Sequence, residues 1–555
     1  MAHHTVSASE QDGEKISRLL SSPLQIIETN RHVLADLLAQ FETLSASQKF
    51  LAAVLLLGPI YILWSAVGSK TKYADAPIAC VDSAHSLKKA RLRFRHDALA
   101  MLQDGYRQFK GRPWYVPSPL GERLMLPGKY VEELKTAPVD EVDFVATFFE
   151  MFEGRYTTMG SRSSLHPRTA RNDLNHHMGR VLEPVKEEIQ EAFDANIPAS
   201  DEWQAIGVHH AMVEIVARVS SRMFGGTDLS RNKEWVDATI NFALDGFVGA
   251  QAIKQYPMLV RPFVAKFIPS LGKIRDHHAT AQRVIVPVLR ERRAKAAAGW
   301  ADNDGEAPAD FLQWMLDNAE GEEQEESFIA QIQLKLSFAA IHTSAAAPTQ
   351  LLYDLCAMPE YIQPLLDEIK EVRAELKDGH FDKRALGKLE KLDSIMKESQ
   401  RFNPLLLVTF ERLVTRPYTF SDGFTIPANT QIGVPTQAIS MDPALYTDPD
   451  KFDGFRFSKL KEAIKPGTNP AEVGKLAYAS SNHESMAFGY GRHACPGRWF
   501  ASNEIKMIMV YLLENYEFRL PGGKTGLANR PPSLNFETQY LPNPDAVIEF
   551  RRRRT

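Results

Sequence analysis

The sequence predicts a mainly α protein with a small β component, an α+β domain that runs from about residue 73 to the end. Helical periodicity dominates: it runs through roughly 165–300, and helices continue to about 402. Between these limits, a long apolar helix is expected from about 327 to Pro348. Pro348 lacks the N–H group that would bond the carbonyl of Ser344, so we expect this helix to kink or end there.

Strand patterns are few, and the clearest ones are hairpins. Residues 118–127 predict a short hairpin with its turn near Gly121. Residues 418–427 predict a second hairpin, for which Asp422-Gly423 is the turn signal. The polar, acidic segment 301–309 predicts a surface loop between helices.

Composition excludes some classes of function. The chain has 555 residues, 44% of them hydrophobic, and a net charge of −4, which gives no reason to expect a nucleic acid partner. Its three cysteines, Cys80, Cys356 and Cys495, argue against a disulfide framework and for a reducing compartment. The arginines 551–554 are most simply a solvated tail.

Residues 50–67 form an uncharged, apolar stretch of 18 residues, the minimum needed to cross the hydrocarbon core of a bilayer. Segment 1–49 carries four Lys/Arg and six Asp/Glu, whereas segment 68–112 carries ten and four. The basic side should face the cytosol. We therefore expect a single transmembrane anchor at 50–67 and a cytosolic domain at 73–555. The N-terminal extension at 1–49 could bind a membrane surface, pack against a partner or be an idle amphipathic extension. The alternative for 50–67 is a buried core helix, which Pro59 would kink.

The most informative segment is Phe488 to Gly497, which reads F-G-Y-G-R-H-A-C-P-G and leads into an apolar helix at 499–513. It places Cys495 in a glycine-rich loop at a helix N-terminus, where backbone N–H groups favour a thiolate. Gly491 and Gly497 would permit backbone shapes closed to other residues and the close approach of a flat partner. Such a cysteine suits a single-thiolate metal centre, although it could also be a buried core residue.

This segment resembles the haem-binding loop of the cytochrome P450 family, whose pattern is Phe-x-x-Gly-x-Arg/His-x-Cys-x-Gly. Phe488, Gly491, His493, Cys495 and Gly497 fill its fixed places. The resemblance implies haem b with Cys495 as the axial thiolate and metal ligand. It also implies the family's fold, a helix-rich prism with a small β lobe, to which the N-terminal transmembrane helix would be added.

Glu398 and Arg401 stand at i,i+3 on a predicted helix, so their side chains share a face. With Arg456 they match the family's Glu-x-x-Arg pair and the later arginine that it binds. The resemblance implies a structural role, in which the buried charges satisfy one another near the haem. The alternative is a surface ion pair.

The segment 339–344 resembles the family's oxygen-binding helix motif, Ala/Gly-Gly-x-Asp/Glu-Thr. Ala339 and Ala340 match its small residues and Thr343 its threonine, which implies that the Thr343 hydroxyl steers protons to bound oxygen. His342 replaces the usual acid and could relay protons, since its ordinary pKa lies near neutrality. Thr343 could instead be a packing residue bonded to its own backbone, and His342 could simply fill space.

The resemblance also suggests which residues bind the haem propionates. His493, Arg412 and Arg171 occupy the places of basic residues in the family, with Arg168 as a competitor for the place of Arg171. The apolar run 405–408 matches a substrate-lining turn, which favours an apolar substrate.

The resemblance, together with the apolar stretch at 50–67, implies a membrane-bound haem-thiolate monooxygenase. The segments 339–343 and 488–498 resemble fungal members of the family that act in secondary metabolism. Such an enzyme would insert one oxygen atom from O2 into a small apolar substrate such as a terpenoid. Since the sequence shows no dinucleotide or flavin motif, electrons would come from a separate protein. The resemblance implies that this partner is NADPH-cytochrome P450 reductase at the endoplasmic reticulum membrane. Two alternatives stay open: a haem-thiolate isomerase or dehydratase that needs no oxygen, and a haem-binding sensor or carrier without catalysis.

Overall fold

The structure is a computed structural model, and it describes residues 74–81, 86–160, 162–300, 306–376, 379–465 and 467–554, with residues 45, 48, 49 and 58. Residues Tyr73–Thr555 form one compact unit. The predicted anchor at 50–67 lies outside the described residues except for Gly58. Among the residues that are described, no helix is both long and apolar enough to span a bilayer.

Helices form most of this unit. The first half contains α1 Leu87–Gln108, α2 Gly128–Leu134, α3 Phe144–Met151, α4 Gly154–Thr157, α5 Leu165–Thr169, α6 Met178–Asn196, α7 Val208–Gly225, α8 Thr227–Ser230, α9 Lys233–Lys254, α10 Arg261–Val264 and α11 Pro269–Ala297. The second half contains α12 Phe311–Asn318, α13 Glu326–Ala357, α14 Ile362–Ala374, α15 Lys383–Lys388, α16 Glu390–Phe402, α17 Thr436–Ser440, α18 Arg456–Glu462, α19 Pro470–Gly474 and α20 Arg498–Asn515.

The strands are short and lie in small sheets. They are β1 Trp114–Ser118, β2 Gly121–Met125, β3 Val142–Asp143, β4 Gln204–Gly207, β5 Thr409–Val414, β6 Tyr418–Thr419, β7 Thr425–Ile426, β8 Thr430–Val434, β9 Tyr516–Arg519, β10 Leu534–Phe536, β11 Gln539–Leu541 and β12 Val547–Arg552. The largest sheet has the order β1-β2-β8-β5-β3, in which only the β2–β8 pair is parallel. A second sheet has the order β4-β12-β9, and β6–β7 and β10–β11 are separate hairpins.

Helix α13 is the centre of the helical core. It packs against α7, α9, α11, α16 and α20. From Ser344 to Ala357 every residue except Ala347 is buried, so this half of the helix is enclosed on all sides. A helix that is apolar around its whole circumference can be stable in water only when other elements enclose it in this way.

The structure agrees with the predicted class and refines its boundaries. Both predicted hairpins form: Ser118 pairs with Gly121, and Tyr418 pairs with Ile426 around the Asp422-Gly423 turn. The first strand of the earlier hairpin begins at Trp114, however, before the segment that the pattern marked. Helix α13 does not end at Pro348 but continues to Ala357, because the buried surroundings favour helix over the local effect of the proline.

Candidate functional site

The loop before α20 holds Cys495 against the chain that precedes it. The backbone N–H of Cys495 donates to the carbonyl of Phe488 at 2.8 Å. Gly491 has a φ of +71°, and a Cβ there would lie 2.5 Å from the Cβ of Lys135, so only glycine fits. Gly497 differs from the prediction: its φ is −91°, and an added Cβ would meet no atom within 4 Å. Gly497 therefore borders open space without needing an unusual backbone.

The thiol of Cys495 is in a mixed electrostatic environment. Burial raises its pKa, while the N–H of Gly497 and the charge of Arg498 act in the opposite direction. The sequence predicts surroundings that favour a thiolate, and Cys495 does lie just before the N-terminus of α20. In this structure, however, burial has the larger effect on the pKa of the thiol. A metal cation supplies the missing positive charge when it binds, because coordination deprotonates a thiol.

No other metal site competes with this cysteine in the part of the chain that the structure describes, where no three His, Cys, Asp or Glu side chains cluster. Cys356 is buried within α13, and Cys80 contacts the carbonyl of Met101 at 3.6 Å. Cys80 and Cys495 are both partly buried, but the loop of Cys495 borders open space at Gly497. Cys495 is the cysteine best placed to meet a cofactor.

Helix α13 has an open face within the core. Ala339 and Thr343, one turn apart, are exposed, although Ile341, Ser344 and Ala345 next to them are buried. The hydroxyl of Thr343 donates to the carbonyl of Ala339 at 2.8 Å and contacts that of Ala340 at 3.1 Å. The backbone bond that a packing threonine would make is therefore present, and so is the open space that the oxygen-binding role requires.

His342 points to a different neighbour from Thr343. Its Nε2 lies 2.9 Å from the carbonyl oxygen of Ile240 on α9. Because a carbonyl only accepts, Nε2 must carry the hydrogen, which leaves Nδ1 as the acceptor of the neutral ring. Burial lowers the pKa of His342, so the ring is neutral at physiological pH. This geometry ties α13 to α9.

Basic side chains converge beside the cysteine loop. Arg412 on β5 is buried, donates to the carbonyl of Glu411 at 2.7 Å, and lies 5.0 Å from the ring of Phe144. The same ring lies 5.4 Å from that of His493. Burial, together with the charges of Arg412, Arg492 and Arg171, lowers the pKa of His493 to about 4.

This convergence tests whether the chain fits a haem. Burial lowers the pKa of Arg412 to about 10, which shows how little its neighbours compensate its charge. Asp143, the carboxylate that acts on both Arg412 and His493, is paired with Arg162. The nearby carboxylates do not balance the positive charge of these hydrogen-bond donors, so the cluster is suited to bind the two carboxylates of a haem. The residues present therefore fit the cofactor.

Arg171 and Arg168 are separated by the structure. Arg168 donates to the carbonyl of Asn318 at 2.6 Å and to Glu323 at 2.9 Å, so it is engaged with the segment before α13. Arg171 lies in a π-helical turn, Ala170–Leu174, close enough to His493 for its charge to act there. The spacing of basic residues in the sequence could not make this distinction, because it depends on a π-helical turn that follows α5.

Glu398, Arg401 and Arg456 meet in one buried cluster. Arg401 donates to both carboxylate oxygens of Glu398, at 2.9 and 2.8 Å, and the Nε of Arg456 lies 3.2 Å from each oxygen. The backbone N–H of Asp453 adds a further bond at 3.0 Å. Arg401 also donates to the carbonyl of Pro449 at 2.6 Å. The cluster thus joins α16 to the segment that leads into α18.

A small cavity whose walls are partly aromatic and partly polar is linked to α13 by one aromatic contact. It is lined by Arg123, Met151, Phe152, Phe247, Ala250, Gln251, Lys254 and residues 536–539. Phe152 packs edge-on against Phe338 of α13, with 5.6 Å between ring centroids. Phe247 packs against Phe536 at 5.6 Å. These phenylalanines cannot be predicted from the sequence, because they come from four distant segments and no local pattern connects them.

The predicted substrate turn lies near this cavity. Leu407 and Val408 are buried, whereas Leu405 and Leu406 are partly exposed. The N–H of Leu407 donates to the carbonyl of Thr538, a residue of the cavity wall, at 2.7 Å. The turn thus helps to hold one wall of the cavity, and only its first two leucines present apolar surface.

An apolar surface is exposed at a different place, between α9 and α11. Met258, Leu259, Phe263 and Phe267 are 71%, 55%, 64% and 83% exposed. Single exposed apolar residues are ordinary, but four in one short segment form a patch of the kind that contacts a membrane or a protein.

A helix-rich fold that holds one cysteine loop, a cationic cluster and an open helix face defines a haem-thiolate type of protein. Residues 165–541 match the family described as Cytochrome P450. The chain is 36% identical over 515 residues, 92% of this chain and 94% of the relative, to Cytochrome P450 monooxygenase AN1598 of Emericella nidulans. It is 36% identical over 470 residues, 83% of this chain and 89% of the relative, to Ent-kaurene oxidase P450-4 of Gibberella fujikuroi.

A solved structure, retinoic acid-bound cyanobacterial CYP120A1, has the same fold. It superposes with a TM-score of 0.62 over 87% of this chain and 100% of that chain, at 16% identity. The protein belongs to the cytochrome P450 family. It is a monooxygenase-type oxidoreductase whose cofactor is haem with a cysteine thiolate as the axial ligand.

Proposed function

We propose that this protein is a membrane-bound monooxygenase that oxidises a small apolar secondary metabolite, such as a terpenoid. The observation that carries the proposal is the open face of α13 at Ala339 and Thr343, in a family whose cofactor is haem. Phe338 of the same helix packs edge-on against Phe152. The relatives of this chain include ent-kaurene oxidases of Gibberella fujikuroi and Fusarium fujikuroi, which supports a terpenoid-like substrate.

Cys495 is proposed as the axial ligand, and Phe488, Gly491 and Gly497 as the residues that shape its loop. Arg412, Arg171 and His493 would bind the propionates, and Glu398, Arg401 and Arg456 would hold the core beside them. When bound, haem activates O2 with electrons from a reductase, so that one oxygen atom enters a C–H bond and the other leaves as water. The contribution of the chain is to hold the cofactor, orient the substrate and exclude water.

Thr343 is proposed to position a proton donor at the open face. Its hydroxyl keeps a lone pair free while it donates to the carbonyl of Ala339, so it can accept a hydrogen bond from a water molecule at the open face. His342 is proposed to fix this stretch of α13 against Ile240. Its role is therefore that of a positioning residue, and a proton relay would require a second partner at Nδ1.

Membrane binding is proposed to use two surfaces. One is the segment 50–67, and the other is the exposed apolar patch that contains Met258, Leu259, Phe263 and Phe267. An apolar patch on the catalytic domain can dip into the interface region of a bilayer. The proposed location is the endoplasmic reticulum membrane with the catalytic domain in the cytosol, where NADPH-cytochrome P450 reductase supplies electrons.

Co-expression with a reductase in microsomes tests the proposal. The microsomes would receive NADPH and a panel of terpenoids, and oxygen consumption and products would be measured by electrode and mass spectrometry. We expect substrate-stimulated oxygen uptake and a product that has gained one oxygen atom. Conversion of a substrate without oxygen or NADPH would instead identify an isomerase or dehydratase. Haem binding without any turnover across the panel would favour the sensor or carrier.

A further inference from the structure

A charged hydrogen-bond donor without a partner lies in the wall of the small cavity that Phe152 and Phe247 line. Arg123, on β2, lines the same cavity and is only 4% exposed. Its Nη1 donates to Oε1 of Glu411 on β5 at 2.5 Å, which fixes one end of the guanidinium group. Its Nε is buried and has no hydrogen-bond partner among the described residues. Because buried polar atoms in native proteins nearly always have a partner, this N–H points to an acceptor from outside the chain.

Lys254 brings a second donor to this cavity from a different element. It is the last residue of α9, and it lines the cavity together with Arg123. Its Nζ donates to the carbonyl of Met151, the last residue of α3. Since an ammonium group has three N–H bonds, Lys254 retains donors for a further acceptor. Two donors, one from β2 and one from α9, therefore share one cavity.

The charges around the cavity are close to balanced. Arg123 is paired with Glu411, and Glu537, in the turn between β10 and β11, also lines the cavity. Burial lowers the pKa of Lys254, and the charge of Glu537 opposes this shift. A further carboxylate in the cavity would thus be repelled by two carboxylates that are already there. The arrangement favours a neutral acceptor, and a carbonyl oxygen has two lone pairs for two donors.

Aromatic rings lie between these donors and α13. Phe247 and Phe536 pack edge-on in the cavity wall, with 5.6 Å between ring centroids. Phe152, in the same wall, packs edge-on against Phe338 of α13, also at 5.6 Å. Phe338 precedes Thr343 by five residues, which is about 7.5 Å along the helix axis. Because the cavity is small, it suits one functional group of a molecule whose apolar remainder lies among these rings.

We propose that Arg123 and Lys254 bind the carbonyl oxygen of an otherwise apolar substrate in this cavity. This inference rests on the proposed monooxygenase function and specifies its substrate class. Arg123 donates through Nε and Lys254 through an N–H that Met151 does not use. Both act as specificity-determining residues: they fix one end of the substrate and take no part in the oxygen chemistry.

Binding titrations of the haem-loaded full chain test the proposal. The probes are terpenoid ketones with their hydrocarbon counterparts, namely nootkatone with valencene and menthone with p-menthane. The change in the Soret band gives each dissociation constant. We expect at least one ketone to bind wild-type protein about ten-fold more tightly than its hydrocarbon, as one hydrogen bond from a charged donor would produce. Abietic acid should bind no more tightly than its methyl ester, because the cavity favours a neutral acceptor.

Two variants remove the donors one at a time. Arg123→Lys keeps a positive charge for Glu411 but has no Nε, so it should lose most of the ketone preference while hydrocarbon binding stays the same. Lys254→Met should weaken ketone binding in the same selective way. The matched controls are Arg290→Lys on α11 and Lys370→Met on α14, both at exposed positions, and they should behave as wild type.

Three results would overturn the proposal. They are a wild-type protein that binds no ketone more tightly than its hydrocarbon, a full ketone preference in either Arg123→Lys or Lys254→Met, and a ten-fold preference of wild type for abietic acid over its ester. Any of these with an intact thiolate–haem spectrum would leave the monooxygenase function standing. Absence of that spectrum in wild type would refute the function itself.

Discussion

The charged cluster around Glu398 offers the sharpest stability prediction. Glu398→Gln keeps the size of the side chain but removes the charge that binds Arg401 and Arg456. The side chain of Arg401 is 3% exposed and that of Arg456 is 11% exposed, whereas Glu398 is 0% exposed. The amide of glutamine has only one acceptor oxygen, so two of the four hydrogen bonds that the arginines donate to Glu398, at 2.8–3.2 Å, are lost.

Breaking a buried pair in this way typically costs about 3–5 kcal/mol, because the partner charges are left without compensation. Both arginines also donate hydrogen bonds to backbone carbonyls, such as that of Arg401 to Pro449 at 2.6 Å. Because these bonds remain, we expect the destabilisation of this variant to lie toward the lower end of that range. The cluster joins α16 to the segment before α18, so we expect loss of haem as well as lower stability.

The assay is urea denaturation of the haem-loaded protein, followed by tryptophan fluorescence and the Soret band. Asp237→Asn is the matched control, because Asp237 is 46% exposed and pairs with Lys233 within one helix. That change should alter stability by no more than about 0.5 kcal/mol. A Glu398→Gln midpoint equal to that of Asp237→Asn would refute the view that the cluster supports the core.

Three other predictions follow from the site. Thr343→Ala should keep haem and substrate binding but lower the product formed per NADPH and raise hydrogen peroxide release, since proton delivery is no longer ordered. An unchanged ratio of product to NADPH in this variant would count against the proposed role of Thr343. His342→Ala should shift substrate preference while the ratio of product to NADPH stays near that of wild type. A chain beginning at Tyr73 should lose most, but not all, of its binding to carbonate-washed membranes, and full retention would show that 50–67 is not the main anchor. Burial raises the pKa of Glu504 to about 7, so its proton stabilises the folded protein fully below pH 4.5, and this contribution is lost as pH rises through 7. Glu504→Gln should therefore be more stable than wild type at pH 8 but not at pH 4.5. Equal stability differences at both pH values in urea melts would contradict this.

Local signals in the sequence were enough to predict the fold class and both hairpins. The Asp422-Gly423 turn is one example: it needs a residue with positive φ, and Gly423 has a φ of +85°. Gly491 is another, because its tight contact with Lys135 explains why the loop pattern requires glycine there. Such positions are readable because a single residue satisfies a strict steric condition.

Features that depend on packing between distant segments were not predicted. The continuation of α13 beyond Pro348 depends on burial by surrounding helices, and the engagement of Arg168 with Glu323 depends on a segment about 150 residues away. The pKa of the Cys495 thiol is also of this kind, since burial outweighs the helix N-terminus that the sequence showed. The identity of Cys495 as ligand, and of Thr343 as the oxygen-side residue, stay predictions for experiment.

The identity of the iron ligand is the central claim, and a spectrum of the Cys495→Ser variant tests it most directly. Reduced, carbon monoxide-bound wild-type protein should show the long-wavelength Soret band that a thiolate ligand produces. Cys356→Ser is the control, because Cys356 is buried within α13, and it should keep that band. We expect Cys495→Ser to lose both the band and all turnover. A serine variant that kept the band would show that another residue binds the iron.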